Sequence, residues 1–144
     1  MSENTLSTIR GFLLVLFLIG VIGTSVELLL LGHTADLWQG APLALMAVSL
    51  MVLVWRFVDR RAISLRVFQG TMVLFLMSGV VGLWLHYKGN AEFEREIYPS
   101  LRGLDLFQEA LTGATPTLAP GTMLELGLLG LAYTYRHPHS LGRD

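Results

Sequence analysis

The sequence predicts an all-α integral membrane protein, a bundle of four transmembrane helices. Three observations carry that reading. Of the 144 residues, 53% are hydrophobic and 15% charged. Mean hydropathy is +0.58. The apolar residues also gather into four runs close to membrane-crossing length. A soluble domain carries about 25% charged residues and leaves about a third of its chain surface in water. This chain has too few charges for that, and its length fits a single domain.

The first run covers residues 11–31 and is broken only by Thr24, Ser25 and Glu27. It is longer than the roughly 7–15 residues of a signal-peptide core, and no A-x-A-like site follows, so it reads as a retained span. The second covers 41–58 and opens on Ala41-Pro42, a proline at a helix start where its missing N–H costs nothing. The third covers 67–87, and the fourth, 118–135, holds Pro120 near its start and Glu125 inside it. Short polar breaks join the first three, and an outer loop, 88–117, precedes the fourth. Within that loop Asn90 is expected to cap a short helix over 91–98, stopped by Pro99. Leu101, Leu104, Phe107, Gln108 and Leu111 then recur at helical spacing up to Gly113. This amphipathic segment fits the membrane surface or a lid over the bundle, and its acidic polar face favours the lid.

Arginine sets the orientation. Arg10, the group Arg56, Arg60, Arg61 and Arg66, and the tail residues Arg136 and Arg143 share one side. The connection 33–40 has no Lys or Arg, and the long loop sets Lys88, Arg95 and Arg102 against five acids. The positive-inside rule then puts both termini in the cytoplasm, with the chain in a plasma or bacterial inner membrane. Trp38, Trp55, Trp84, Tyr87, Tyr98, Tyr133 and Tyr135 fall near span ends, as interfacial aromatics do.

An internal duplication is also legible. A shift of 59 residues lays Gly11, Gly20, Val21 and Gly23 over Gly70, Gly79, Val80 and Gly82, and a shift of 78 lays Ala41-Pro42 over Ala119-Pro120. Two duplicated helical hairpins would result. Small residues permit close helix approach in lipid, so Gly20, Gly23, Gly79 and Gly82 are expected to bring the first and third spans together. Gly11, Gly32 and the pair Gly127 and Gly130 read as packing positions as well.

Glu27 and Glu125 are the only acids inside the runs. A carboxylate in hydrocarbon costs a few kcal/mol, so it normally faces the bundle interior with a partner. Glu27, His86 and Glu125 are expected to converge in the outer leaflet, with His33 and Asp36 at the rim. Three readings compete for this cluster: a buried Glu–His hydrogen bond, a divalent metal site on Glu27, His86, Glu125 and His33, or a protonatable pair. Haem is disfavoured, because His33 lies beyond its helix end and further out than His86. His137 and His139, flanking Pro138, are expected in a solvated tail. Glu92, Glu94 and Glu96 beside Arg95 read as a solvated helix face or a cation-collecting rim.

Much chemistry is excluded. There is no cysteine, hence no disulfide, thiolate zinc site, iron–sulfur ligation or cysteine nucleophile. Ten basic residues against 11 acidic, net charge −1, leave no basic stripe for nucleic acid. No P-loop, G-x-S-x-G, H-E-x-x-H or Rossmann glycine pattern occurs. The expectation is a non-catalytic accessory or assembly subunit in the lipid bilayer, partnered by another membrane protein or by itself. The alternatives are a small transporter for protons, metal ions or a small solute, and a metal- or haem-dependent redox protein.

Overall fold

The computed structural model describes residues 3–137. Five helices follow in order: α1 (Glu3–Leu30), α2 (Leu37–Val58), α3 (Ala62–Ile97), α4 (Gly103–Leu111) and α5 (Gly121–Thr134). Three of them, α1, α2 and α3, are long and apolar enough to cross a membrane. The expected fourth span is shorter. Helix α5 has 14 residues, about 21 Å at 1.5 Å per residue, against a hydrocarbon core of about 30 Å. Tighter i→i+3 turns continue it at both ends, from Pro116 to Met123 and from Ala132 to His137. His139, Pro138 and Arg143 lie outside the described residues.

Local chemistry explains the helix ends. Helix α1 stops in a Schellman motif: Gly32 has φ +63°, the Gly32 N–H donates to Leu29 O, and the His33 N–H donates to Leu28 O. Gly32 is therefore a C-terminal cap, with open space around its α-carbon, and not a packing position. Asp36 caps α2, its Oδ1 accepting from the Gln39 N–H at 2.9 Å, while Gln39 Oε1 accepts from the Ala35 N–H at 3.2 Å. This cap starts α2 at Leu37. Pro42 therefore lies inside the helix and does not open it, whereas Pro120 does sit at the N-cap of α5.

No break occurs at Asn90. Helix α3 runs unbroken for 36 residues, about 54 Å, so the expected separate helix over 91–98 is its C-terminal extension. Asn90 faces sideways from it. Its Nδ2 donates to Ala110 O, Thr115 O and Thr117 Oγ1, and its Oδ1 accepts from the Thr115 N–H and Oγ1–H. These bonds hold the loop after α4 against α3. Ala91, Leu106 and Ala110 form a small core there with Tyr87 and Leu101, and the Tyr87 and Phe107 rings meet at 5.8 Å.

Helix α5 lies between α1 and α3. Its contact with α3 is the most extensive in the molecule; α2 covers another side of α3, and α1 and α2 barely touch. The glycines explain the closeness. A Cβ on Gly79 would stand 2.7 Å from Leu124, and one on Gly82 would stand 2.7 Å from Pro120. From the other side, Gly127 and Gly130 receive Leu76, Met72 and Phe68 of α3. Gly20 meets Leu126, again on α5, while Gly23 and Gly11 face open space. Gly20, Gly79 and Gly82 thus pack onto α5, and the expected glycine contact between the first and third spans does not form. What crosses between α1 and α3 is Phe17, whose ring lies 5.7 Å from Phe68 and 6.2 Å from Phe75. The two hairpins also differ as pairs, since α3 and α5 are tightly joined where α1 and α2 are not.

The core of Phe17, Val21, Met46, Phe68, Met72, Phe75, Met123 and Leu126 is narrow. Only 11% of the most apolar stretch of α1 is buried, and 28% of those of α2 and α3. Phe12, Leu16, Ile19, Leu30, Met51, Val54 and Val80 are more than half exposed. A contiguous apolar surface of this kind is what lipid covers, whereas in water it would drive association.

Candidate functional site

The expected outer-leaflet cluster does not assemble. Among the described residues no three His, Asp or Glu side chains gather closely enough to hold a metal ion. Glu27 is exposed on α1 and Glu125 is exposed on α5. Helix α5 turns Met123, Leu126, Gly127 and Gly130 inward. At 100° per residue, Glu125 then falls with Leu128 and Ala132 on the opposite side. These residues and Leu129 line an open groove of about 390 Å³ along the outside of α5.

Contacts between helices give the depth of Glu125. Its neighbour Leu126 packs on Gly20, in the middle of the 11–31 run, and Leu124 packs on Gly79, near the middle of the 67–87 run. Glu125 is therefore level with the centre of the apolar runs of α1 and α3, deeper than counting from the start of the 118–135 run suggests. Glu27 is seven residues past Gly20 on α1, about 10 Å further toward the C-terminal end of that helix. The two carboxylates differ in both depth and direction.

The structure does bring His33 and His86 together, with ring centroids 6.4 Å apart. The Schellman turn carries His33 back toward α3. His86 Nδ1 lies 3.0 Å from Pro116 O. A proton on Nδ1 donated to that carbonyl leaves Nε2 with its lone pair, the arrangement that metal-ligating histidines use. Two imidazoles without a carboxylate form half of a usual ligand set.

A second polar constellation, at the arginine-rich end, was legible only as orientation markers. Arg56, in the last turn of α2, is 4% exposed. Its Nη2 lies 3.4 Å from His137 Nδ1, and His137 stacks edge-on with Tyr133 at 5.9 Å. Arg10 Nη2 donates to Arg136 O at 2.9 Å, and Arg136 adopts φ 48°. Arg56, Phe57, Arg60, Tyr133 and His137 line a cavity of about 210 Å³. The available signal was an arginine lying inside the 41–58 apolar run.

No family model matches this chain, and comparisons with curated proteins and with solved structures find no match.

Proposed function

We propose that the chain crosses a plasma or bacterial inner membrane with both termini in the cytoplasm, and that it works as a non-catalytic subunit docking another membrane-embedded helix on the outer face of α5. One observation carries this reading: Glu125 is exposed, points away from its own bundle and is level with the middle of the apolar stretches of α1 and α3. An ionised carboxylate in lipid costs a few kcal/mol and is normally paired. A neighbouring helix with a hydrogen-bond donor or a cation would remove that cost. Leu128, Leu129 and Ala132 beside it offer a shallow apolar groove for that helix. Arginines at the end formed by Arg10, Arg56, Arg60 and Arg136 support the orientation.

Photo-crosslinking groups at Leu128 and Ala132 in native membranes test this. A discrete protein adduct is expected, together with its loss and the loss of the co-purifying partner in Glu125→Leu. Lipid adducts alone, with an unchanged co-purification profile, would refute it. A small permease is the second reading, favoured by the same depth, because transporters hold substrate near the bilayer midplane. Proton or metal-ion flux into liposomes containing only this protein, abolished in Glu125→Gln, would select it. The redox reading rests on His33 and His86, and elemental analysis with an absorption spectrum of untagged wild type and His86→Ala decides it.

A further inference from the structure

We infer that the cavity at the arginine-rich end binds the phosphate of an anionic glycerophospholipid. The inference rests on the membrane-spanning reading above. The cavity, about 210 Å³, is walled by Arg56 of α2, by Arg60 of the connection after it, by Tyr133 of α5 and by His137, with Phe57 at its edge. Among the described residues no carboxylate lines it. The nearest acid in sequence, Asp59, is engaged elsewhere: its Oδ1 lies 3.4 Å from Arg61 Nε and accepts from the Arg61 N–H. Arg10 adds a further positive charge, since Arg10 and Arg56 both lie within electrostatic reach of the Tyr133 hydroxyl. Arg10 Nε is buried and has no hydrogen-bond partner among the described residues. Among the described residues, the formal charges around the cavity are therefore positive.

Phosphate fits this donor set. Guanidinium forks match its oxygens in charge and geometry, and a tyrosine hydroxyl or an imidazole N–H can add a neutral donor. Lipid is favoured as the source because of position. Trp55 and Tyr135, amphipathic aromatics of the kind that mark the headgroup level, flank this end of the bundle and are exposed. Phe57 is 55% exposed beside the cavity and offers a surface for the start of an acyl chain. Basic pockets between helices on the cytoplasmic side are a general form of anionic lipid site.

The test uses the full chain in a mild non-ionic detergent, with bound lipid counted by native mass spectrometry. Membrane fractionation comes first. A chain recovered in the soluble fraction overturns the membrane reading and this inference together, whereas a membrane chain failing the lipid test overturns the site alone. One phosphatidylglycerol per chain is expected, bound in preference to phosphatidylcholine and to diacylglycerol. Arg60→Gln removes one exposed charged donor and should weaken retention about tenfold, the equivalent of one charge-assisted hydrogen bond. Arg66→Gln, the same charge loss on an exposed α3 position outside the cavity, should leave retention unchanged. Equal losses in the two variants would show diffuse attraction and overturn the site, as would equal retention of all three lipids. Inorganic phosphate binding as tightly as the lipid would overturn the lipid assignment.

Discussion

Helices α1 and α3 carry the same spacing of small residues, G-V-I-G and G-V-V-G, yet they live in different surroundings. In α3 both glycines of the pair receive α5, Gly79 taking Leu124 and Gly82 taking Pro120. In α1 only Gly20 is covered, by Leu126, while Gly23 opens outward. The contrast continues beyond the apolar band. Helix α3 runs on to Ile97 and is braced there by Asn90 and α4, whereas α1 ends at Leu30 in a capped turn. A glycine pair thus marks a surface able to accept a close neighbour, and the rest of the fold decides whether one arrives. The uncovered half of α1 and the outer face of α5 join the exposed apolar faces of α2 and α3 as surfaces open to a neighbour.

The most severe way to break the contrast is Gly79→Leu. The added side chain meets Leu124, including its backbone nitrogen 3.1 Å from the new Cβ, and a helix backbone cannot give way as a side-chain tip can. A destabilisation of about 3 kcal/mol or more is expected from such overpacking, read as loss of the folded fraction in detergent denaturation. Asn90→Ala comes next. It removes the Nδ2 donor to the buried Ala110 carbonyl, which keeps only the Thr117 hydroxyl, and frees Thr115, at about 2 kcal/mol, and should open the loop 112–117 to proteolysis while the apolar helices stay folded. Cleavage unchanged from wild type would mean that α4 is held without Asn90. The smallest effect sharpens the comparison most. Gly20→Ala must displace Leu126, whose Cδ2 lies 2.5 Å from the new Cβ, and should cost about 1 kcal/mol. Gly23→Ala, three residues away, enters open space and should be neutral or stabilising by up to about 1 kcal/mol through helix propensity. Equal destabilisation by both would mean that a neighbour covers Gly23 in the membrane.

How far the sequence could be read depends on the range of the interaction behind each feature. The apolar runs, the position of α4 and the break after Leu31 follow from periodicity and from glycine or proline within one turn, so they were legible. Asn90 departs from the expected capping role for a physical reason. An asparagine caps a helix only if the backbone needs a terminal acceptor there, and here partners 20 to 27 residues later take its side chain. A charge inside an apolar run usually faces inward with a partner, which is the expectation for Glu125. Glu125 faces outward because Gly127 and Gly130 commit the opposite side of α5 to α3. The arginine-rich cavity was hidden for a similar reason, being assembled from α2, α5 and the segment after α5.

The sequence by itself determined that this chain is helical, apolar beyond what a protein in water can bury, and marked by arginine at one end. Each of those properties is local or additive, set by side-chain period, transfer free energy and formal charge. Helix packing is what puts α5 and not α1 in the glycine groove of α3, brings the two histidines together while Glu27 and Glu125 separate, and sets Arg56 beside His137 and Tyr133. Rotating any one helix by 100° would leave every local property unchanged and rearrange all of these meetings. Only the mutual fit of side chains selects among such rotations.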